Sequence, residues 1–519
     1  MSNEKTNTTT RRSFLTKAAG AALATALPSA AQNAAPPKPA ATAKSPAIAK
    51  RKRPLNVLFF MSDDMRPELA CYASRFNAHS PNIDALAAHG VRFDRNYCQF
   101  PLCNPSRSSL FTGHIPRETT VLGNSAAVVK AHPDWVTLPR LFKENGYTTL
   151  RSGKLFHAGL DDPQAWTDFY GDVESMHPTT IGTKMEIPPA RIPMPDGTLP
   201  PLPTNARAEH SDEILVLDGN GEGAGDFLVA DLAIKWLNQV AADPDKPFFV
   251  GCGFSKPHSP PTAPQKYFDM WDPTKIQLPP DFAAWPTVPP GFPKAAIRPH
   301  NADLFIGRGA SESEAQQVIR AYLASISWAD WNLGRVVAEL DRLKLRDSTL
   351  IVFVADHGYQ LGEKGKWSKA GSLFEGGTRI PLIISMPGAR GNGRPCLRMV
   401  QSLDIYRTVC ELAGLEPPSH VEGTSLVSLL EDPRGPKWDQ PAYSIWSEDG
   451  RTIHGTAIRT EQWRYAEYGP NAANGAMLFD VHADPMELTN LADSPQHAAT
   501  RAELSKLVNA YSYPAASSA

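Results

Sequence analysis

The sequence predicts an α/β protein in which a large, mainly parallel sheet flanked by helices is followed by a small antiparallel C-terminal subdomain. Two observations predict this class. Apolar runs of strand length alternate with amphipathic helical segments over most of the 519 residues, which is typical of a parallel sheet covered on both faces. After residue 437 the pattern changes to short strands without intervening helices. At 42% hydrophobic and 20% charged residues, the chain has enough apolar surface for a core of this size.

The predicted strands are apolar runs, several of which end at polar residues. Asn56–Met61 is a run of this kind and leads into Ser62-Asp63-Asp64, as expected for a buried parallel strand. The other strands predicted for the main sheet are Thr148–Arg151, Pro247–Phe254, Thr349–Ala355 and Pro381–Met386. The strands predicted for the C-terminal subdomain, before a terminal helix, are Tyr443–Trp446, Thr456–Arg459, Trp463–Glu467 and Met477–Val481.

The helix predictions rest on periodicity and on end signals. Asp226–Ala242 places its apolar residues on one stripe, which indicates an amphipathic helix packed on the sheet. Ser311 and Glu314 form a capping box for a long helix that ends at Leu343. The shorter predicted helices are Ile83–His89, closed by Gly90, and Leu138–Asn145, closed by Gly146.

Composition excludes several classes of function. Lys plus Arg is 52 and Asp plus Glu is 54, for a net charge of −2, so no nucleic-acid partner is expected. Six cysteines without a C-x-x-C pair argue against a disulfide framework and a structural zinc site. The chain has 48 prolines, and the long segments 158–225 and 256–310 are Pro-rich and weakly periodic, so they are expected to shape a binding site.

The N-terminus resembles an export signal. Arg11-Arg12 lies in a twin-arginine signature and is followed by the apolar run Ala18–Leu27. This run is too short to cross a bilayer and no later segment is apolar enough, so no stable membrane anchor is expected. The alternative is a chance arginine pair in a disordered terminus. The predicted organisation is a twin-arginine signal peptide over residues 1–31, a flexible linker over 32–53, a catalytic domain over 54–437 and a C-terminal subdomain over 438–519, with a periplasmic or secreted location.

Polar side chains follow four of the predicted strands. Ligands of open parallel sheets bind at the carboxyl ends of the strands. The groups at these ends are Asp63-Asp64, Lys154 with His157, Lys256 with His258, and Asp356-His357. Each is weak evidence alone, because paired aspartates often form solvated turns and single histidines are often structural. Together they predict one site, whose three carboxylates and one imidazole suit Ca²⁺ or Mg²⁺ better than zinc.

The segment 103–113 is the most informative in the chain. Asn104 is expected to cap a helix, with Pro105 at its first position and a glycine at its end. Cys103 then precedes a helix N-terminus, where free N–H groups favour an anion. Arg107, one turn on, adds a forked donor pair. These residues alone fit a catalytic thiol, a phosphate cradle, or a helix start with a chance cysteine.

This segment resembles the signature C-x-P-S-R-x-x-L-x-T-G of type I sulfatases, in which the cysteine is converted to formylglycine before export. The resemblance extends over most of residues 54–394 and returns weakly near Leu478-Phe479-Asp480. Within the family the greatest likeness is to iduronate-2-sulfatases, in the G-K-x-F-H and K-P-H segments and from Asp356 to Lys369. It implies an alkaline-phosphatase-like sulfatase fold. One departure is His114, which stands where the family usually has arginine.

The resemblance implies a role for each candidate residue. The implied metal ligands are Asp63, Asp64, Asp356 and His357, with the modified Cys103 near one divalent ion, Ca²⁺ rather than Mg²⁺. His357 stands where many relatives have asparagine. The implied catalytic residues are Cys103, as the hydrated-aldehyde nucleophile, Arg107 and Lys154 on the sulfate, His157 near the second hydroxyl, and His258 with Lys369 facing the leaving oxygen. Lys364 and Lys366 fit the pattern less well and are expected to be solvated.

The implied function is a sulfuric ester hydrolase that removes sulfate from a sulfated carbohydrate, with a 2-O-sulfated uronic acid as the leading substrate. A formylglycine-generating enzyme and the twin-arginine translocase are the implied partners in maturation. Three alternatives remain. A phosphatase or phosphonate monoester hydrolase shares the fold. A non-catalytic sulfated-glycan-binding protein has no need of a nucleophile beside a metal, and a cysteine hydrolase leaves the acidic cluster unexplained.

Overall fold

The computed structural model describes residues 53–170, 183–185, 192–199, 212–435 and 437–513. The predicted signal peptide lies outside the described residues, as does the linker apart from Arg53, and the segment 158–225 is described in part. Within these ranges, no helix combines the length and the apolar character that crossing a membrane requires.

Strands and helices alternate through most of the described chain. The strands are β1 Asn56–Asp63, β2 Val91–Tyr97, β3 Thr148–Gly153, β4 Asp168–Tyr170, β5 Thr183–Met185, β6 Ile214–Leu217, β7 Phe248–Pro257, β8 Thr262–Pro264, β9 Thr349–Ala355, β10 Arg379–Ser385, β11 Pro395–Gln401, β12 Ala442–Trp446, β13 Gly455–Arg459, β14 Trp463–Tyr468 and β15 Ala476–Asp480. The α-helices are α1 Pro81–Ala88, α2 Cys103–Thr112, α3 Pro116–Thr119, α4 Val128–Ala131, α5 Leu138–Glu144, α6 Gly225–Ala241, α7 Gln265–Phe268, α8 Glu312–Arg342, α9 Glu375–Thr378, α10 Asp404–Ala413, α11 Val427–Glu431 and α12 Ala498–Ser512.

The main sheet has the strand order β11-β2-β10-β9-β1-β7-β3-β4. Its central strands β9, β1, β7 and β3 are mutually parallel, which confirms the predicted α/β architecture. Strand β10 is antiparallel to both of its neighbours. A parallel neighbour requires a crossover that returns the chain to the other end of the sheet. Between β9 and β10 the described helix is only the four-residue α9, so the chain turns back directly.

Both faces of the sheet are covered, which explains the continuous apolar character of the central strands. Phe59 of β1 contacts Phe111 of α2 at a ring-centroid distance of 5.7 Å, and Phe249 of β7 contacts Phe142 of α5 at 5.2 Å. Helices α6 and α8 pack on each other and on β7. Every residue of β7 and β9 is buried. Because helices pack on both faces, the strands and their carboxyl ends, where the predicted site lies, are held in place.

Several predicted boundaries shift, and one shift matters for the site. Helix α2 begins at Cys103 and not after Asn104, so the prediction that Asn104 caps it is wrong. The Asn104 amide instead donates to the carbonyls of Gly123 and Ala126, both at 2.8 Å. Cys103 therefore lies in the first turn of the helix. The predicted end is confirmed, because Gly113 closes α2 with a positive φ of 69°.

A second, antiparallel sheet has the order β12-β13-β14-β15, as predicted for the C-terminal subdomain. Helix α12 packs on β13 and β14. The small sheet shares a core with the main body, in which Phe100 lies 5.4 Å from Trp446 between ring centroids. The domain boundary at residue 437 stays a prediction, and the small sheet contributes to the same cavity as the strand ends.

Candidate active site

The four neighbouring strands β9, β1, β7 and β3 bring the predicted site residues together at their carboxyl ends. They line or adjoin one cavity of about 610 Å³, within the range of pockets that bind small molecules. The predicted residues that line it are Cys103, Lys154, His157, His258 and Lys369. The other predicted residues, which are Asp63, Asp64, Arg107, Asp356 and His357, are buried beneath it.

Cys103 lies at the floor of this cavity and is 2% exposed. Its thiol donates to Asp63 Oδ1 at 3.4 Å, and its Sγ lies 3.2 Å from His357 Nε2. The potential ligand atoms of Asp63, Cys103, Asp356 and His357 all lie within 4.8 Å of one another. The same holds for Asp63, Asp64, Cys103 and His258.

Arg107 is fully buried and joins two of the strand ends. Its Nε donates to Asp356 Oδ2 at 2.9 Å. Its Nη1 donates to the carbonyls of Lys154 and Leu155 at 2.6 and 2.8 Å. Among the described residues, its buried Nη2 has no hydrogen-bond partner. This nitrogen lies 3.8 Å from Asp63 Oδ2, so one donor of the guanidinium remains without a hydrogen bond next to the acidic cluster.

Two lysines direct their ammonium groups into the cavity. Lys154 Nζ donates to Asp63 Oδ2. Lys369 Nζ donates to Asp64 Oδ2 at 3.0 Å and lies 3.2 Å from Asp303 Oδ1. Asp303 is buried and was missed in the sequence, because it is a single aspartate in a Pro-rich segment without a motif. It orients Lys369 from the wall of the cavity.

The two cavity histidines are held in environments that favour the neutral ring. Burial, reinforced by Lys154, lowers the pKa of His157 to about 4. Burial, reinforced by Lys369, lowers the pKa of His258 well below its usual value. His258 Nδ1 lies 2.7 Å from the carbonyl of Ser259, which only accepts, so this nitrogen carries the proton. Its Nε2 faces the cavity 4.0 Å from Asp64 Oδ2.

Burial and neighbouring charges shift the pKa values of Asp63, Asp64 and His357 in different directions. Burial raises the pKa of Asp63, but Lys154, Arg107 and Lys369 outweigh burial and hold it well below its usual range. For Asp64 burial dominates and raises the pKa well above that range. Burial lowers the pKa of His357, but Asp356 and Cys103 outweigh it and raise the pKa to about 10.

The donor set fits a hard divalent cation. Asp63, Asp64 and Asp356 are three buried carboxylates in two overlapping groups of potential ligands that share Asp63 and Cys103. Among the described residues, Asp64 Oδ1 is buried without a hydrogen-bond partner, and His357 Nδ1 lies 3.4 Å from it. A bound cation would offset the cost of burying this oxygen. Carboxylate oxygens with a single imidazole suit Ca²⁺ or Mg²⁺. The predicted metal ligands are therefore compatible with such an ion.

Comparison with known proteins decides the family. A family model described as "Sulfatase" matches residues 55–415.

The chain belongs to the sulfatase family.

A second model, described as "N-sulphoglucosamine sulphohydrolase, C-terminal", matches residues 362–513. The chain is 29% identical to iduronate 2-sulfatase from Homo sapiens, over 85% of this chain and 92% of that protein. It is 32% identical to a sulfatase from Formosa agariphila, over 85% and 83%. It is 29% identical to choline-sulfatase from Rhizobium meliloti, over 86% and 84%. These findings confirm that the protein is a sulfuric ester hydrolase.

Solved structures confirm the fold. A protein in complex with its substrate D-glucosamine-2-N,6-O-disulfate has a TM-score of 0.68 at 22% identity, covering 88% of this sulfatase and 97% of that chain. A phosphonate monoester hydrolase of Agrobacterium radiobacter has a TM-score of 0.68 at 24% identity, covering 88% and 94%. The predicted alkaline-phosphatase-like sulfatase fold is therefore correct.

The prediction that Lys364 and Lys366 are solvated is wrong. Both are buried in this sulfatase. Lys364 Nζ donates to Asp281 at 2.7 Å. Lys366 Nζ donates to the carbonyls of Arg298 and His300 at 3.2 and 2.7 Å. Both lysines hold the Pro-rich segment 256–310 against the catalytic body, so their role is structural.

His114, the departure from the family signature, makes a local contact behind the site. Its Nδ1 lies 2.9 Å from Glu422 Oε2, which also accepts from the backbone N–H of Ile115 at 3.0 Å. Its ring stacks on Trp135 at a centroid distance of 3.8 Å. His114 thus secures the C-terminal end of α2, while Cys103 and Arg107 at the other end keep the arrangement described above.

Proposed function

We propose that this sulfatase removes sulfate from a sulfated saccharide, with a 2-O-sulfated uronic acid as the leading substrate, through a formylglycine formed from Cys103 and one bound divalent ion, Ca²⁺. The observation that carries the proposal is the position of Cys103. Its side chain lies at the cavity floor between Asp63 and His357, with Arg107 and Lys154 beside it. A reacting group here meets both the acidic cluster and the cations.

The proposed metal ligands are Asp63, Asp64, Asp356 and His357, because they offer three buried carboxylates and one imidazole close to Cys103. When bound, the ion supplies Lewis-acid polarisation of a sulfate oxygen, and formylglycine supplies a hydrated aldehyde whose hydroxyl is the nucleophile. Cys103 lies in the first turn of α2, where the helix dipole and free backbone N–H groups favour the developing negative charge.

Arg107 and Lys154 bind the sulfate and orient it toward position 103. Arg107 is held by three hydrogen bonds that leave Nη2 without a partner among the described residues. Lys154 reaches the same point from the end of β3 and keeps its charge, since burial lowers its pKa but Asp63 and Cys103 outweigh burial. Preorganised cations of this kind stabilise charge without reorganisation during the reaction.

Lys369 and His258 face the leaving oxygen. Burial lowers the pKa of Lys369, but Asp303 and Asp64 outweigh burial and raise it well above its usual value, so Lys369 is a charged donor. His258 is neutral in the free enzyme, and the negative charge of a bound sulfate ester raises the pKa of an adjoining imidazole. His258 therefore takes up its proton together with the substrate and returns it to the leaving alcohol.

His157 is suited to act as a base. Its pKa of about 4 keeps the ring neutral at the pH of most assays. Its buried Nδ1 has no hydrogen-bond partner among the described residues. Because it lines the cavity next to Cys103 and Lys154, it lies where a proton must leave the nucleophile. Its proposed role is to accept the proton of the second hydroxyl.

Two features support the saccharide class and the route of maturation. The similarity to iduronate 2-sulfatase extends over 92% of that protein, and a cavity of about 610 Å³ has room for a sugar. The pair Arg11-Arg12 supports export by the twin-arginine translocase to the periplasm or beyond. Because that route carries folded proteins, a formylglycine-generating enzyme can act on the Cys103 segment before export.

Peptide mass spectrometry of the active enzyme tests the nucleophile. We expect the peptide that contains residue 103 to carry an aldehyde or its hydrate in place of the thiol. Cys103→Ala should lose at least about a thousandfold in kcat, because a lost nucleophile removes the whole covalent route. Cys71→Ala, at a partly buried cysteine outside the site, is the matched control and should retain activity. Full activity with an unmodified thiol at position 103 would show that the proposed nucleophile is wrong.

A further inference from the structure

The mouth of the catalytic cavity carries a cluster that no sequence motif indicated. Arg298 comes from the Pro-rich segment 256–310, and Trp446 and Glu448 come from the end of β12 and the residues after it. We call these three residues the rim cluster. All three line the same cavity as Cys103, Lys154 and Lys369.

We propose that Arg298 binds the carboxylate of a uronic acid whose sulfate lies at Cys103. This inference rests on the proposed function and names the contact that selects its substrate. A uronate needs a cation for its carboxylate in addition to those that hold the sulfate. Among the described residues that line the cavity, the lysines Lys154 and Lys369 are engaged at its floor by Asp63, Asp64 and Asp303. Arg298 is the further cation, and it lies at the mouth.

The Arg298 guanidinium is held in a fixed orientation. Its Nη2 donates to Glu448 Oε1 at 2.6 Å, and Trp446 Nε1 donates to the other oxygen of Glu448 at 3.3 Å. The guanidinium carbon lies 5.4 Å from the Trp446 ring centroid. Among the described residues, Nε and Nη1 of Arg298 make no hydrogen bond. The side chain is 31% exposed and lines the cavity, so the guanidinium is accessible to a ligand there.

Donor geometry favours a carboxylate over a hydroxyl. The parallel N–H pairs of a guanidinium are Nε with Nη2 and Nη1 with Nη2, so a carboxylate takes one of the two free nitrogens together with the second N–H of Nη2. An orientation fixed in advance reduces the entropy lost on binding. Glu448 beside it accepts from sugar hydroxyls. A quaternary ammonium substrate is disfavoured, because Arg298 covers one face of Trp446 and Phe100 packs against the ring at 5.4 Å, so that the aromatic face which such a cation requires is occupied.

The rim cluster is tied to the catalytic residues through Gly371. A Cβ at this position, where φ is +81°, would lie 2.7 Å from Arg298 Cδ and 3.6 Å from Trp446 Cε2. The aliphatic stem of Arg298 therefore packs against backbone only two residues from Lys369. This contact sets the Arg298 guanidinium relative to the floor of the cavity, as required if one sugar is to reach both.

The test compares kcat/KM on three matched saccharides: a 2-O-sulfated uronide, the corresponding neutral 2-O-sulfated hexoside, and the same hexoside with a second sulfate on its 6-hydroxyl, in the place of the uronide carboxylate. For the wild type we expect the uronide to be preferred over the neutral sugar. Arg298→Ala should lower the uronide-to-neutral ratio about a hundredfold, mainly through KM, and Arg298→Lys should restore part of it. Arg346→Ala is the control, since Arg346 forms a similar ion pair with Asp341 at a similar exposure of 32%.

A binding measurement separates recognition from turnover. Calorimetry on the Cys103→Ala protein should give a Kd for the uronide that rises on adding Arg298→Ala and is unchanged by Arg346→Ala. A ratio that Arg298→Ala leaves unchanged, or a wild-type preference for the disulfated hexoside, overturns the assignment to a carboxylate. If the wild type hydrolyses all three sugars equally, this inference fails and the sulfatase proposal stands. If it releases sulfate from none of them and from no aryl sulfate, the proposed function itself fails.

Discussion

At the scale of single residues, the conformation of Asp64 shows how the site is held in shape. Its φ of 63° lies in the left-handed region, which costs a non-glycine residue on the order of 1 kcal/mol. Its backbone N–H donates to Asp356 Oδ1 at 3.2 Å. Its carbonyl accepts from the Tyr322 hydroxyl at 2.7 Å, and that hydroxyl accepts from the N–H of Arg66 at 2.9 Å. Tyr322 is thus a positioning residue for Asp64.

Tyr322→Phe should weaken binding of the proposed Ca²⁺ by roughly tenfold, because residues that orient a ligand typically contribute this much to metal affinity. The free energy of unfolding of the metal-free protein should fall by only about 1 kcal/mol, the net contribution of one hydrogen bond. Calorimetric titration of metal-free protein with Ca²⁺ measures the first effect, and urea unfolding measures the second. Tyr147→Phe is the control, since that buried hydroxyl has no partner among the described residues. An unchanged Ca²⁺ affinity would refute the positioning role.

The sequence predicts the residues at strand ends and not those in loops. Asp63, Lys154 and Asp356 each follow a recognisable apolar strand, and the parallel topology brings such ends together. Asp303 and Arg298 lie in a Pro-rich segment without periodicity. Their positions depend on the contacts of the buried Lys364 and Lys366 and on the core shared with the small sheet. Such long-range contacts leave no local pattern in the sequence.

At the scale of elements, the ends of β3 and β7 approach so closely that only glycine fits. A Cβ at Gly253 would lie 2.1 Å from the carbonyl oxygen of Lys154. A Cβ at Gly153, where φ is +68°, would lie 2.1 Å from the carbonyl oxygen of Gly253. The backbone of Lys154 donates to that same oxygen at 2.8 Å. Because of this close pairing, the Lys154 ammonium reaches Asp63 at the end of β1, on the far side of β7.

Gly253→Ala should therefore displace Lys154 as well as destabilise the sheet. We expect the free energy of unfolding to fall by about 2 kcal/mol, as for other overpacked sites. Sulfate release by the folded fraction should fall by at least tenfold, since small displacements of a positioned group have effects of this order. Gly376→Ala is the control, because the nearest atom to its Cβ would be 3.5 Å away. A Gly253→Ala protein with wild-type kcat would mean that this pairing does not position Lys154.

Element predictions succeed where one local pattern decides the outcome. The capping box of Ser311 and Glu314 is present at the start of α8, and β9 has the predicted bounds, Thr349–Ala355. Strands β2 and β11 were missed, because charged residues interrupt their apolar pattern at the edge of the sheet. The start of α2 was misplaced because Asn104 caps nothing and instead holds the neighbouring loop.

At the scale of the whole molecule, the small C-terminal sheet completes the cavity and is attached by buried charges. Arg464 of β14 is fully buried and lies 2.7 Å from Glu487 Oε1. It also pairs with Glu375 of α9, as does Arg459 of β13 at 3.4 Å. The Tyr97 hydroxyl of the main sheet donates to Glu375 Oε1 at 2.8 Å. Because β12 carries Trp446, this attachment also fixes the rim cluster.

Glu375 should make the stability of the molecule depend on pH in acid. Burial raises its pKa, but Arg464, Arg459 and Arg379 outweigh burial and hold the pKa well below its usual range. A carboxyl whose folded pKa is depressed contributes stability that is fully present above its unfolded pKa, about 4.3, and is lost as the pH falls below that value. Glu375→Gln removes this contribution and leaves the arginines in place.

We therefore expect Glu375→Gln to lower the free energy of unfolding by about 2 kcal/mol at pH 7. This is less than the roughly 3–5 kcal/mol of a fully buried pair, because Glu375 is 22% exposed and Arg464 keeps Glu487. The difference from wild type should shrink steadily below about pH 4.3, where the wild-type carboxyl begins to be protonated. Urea unfolding at a series of pH values measures it. Asp439→Asn, in an exposed pair with Lys437, is the control and should change little at any pH. A Glu375→Gln difference that stays constant down to pH 3 would contradict the electrostatic role and leave only a packing role.

Glu375→Gln should also weaken discrimination between uronide and neutral substrates at pH 7. The reason is that Trp446, against which Arg298 packs, is held in place by the same attachment of the small sheet.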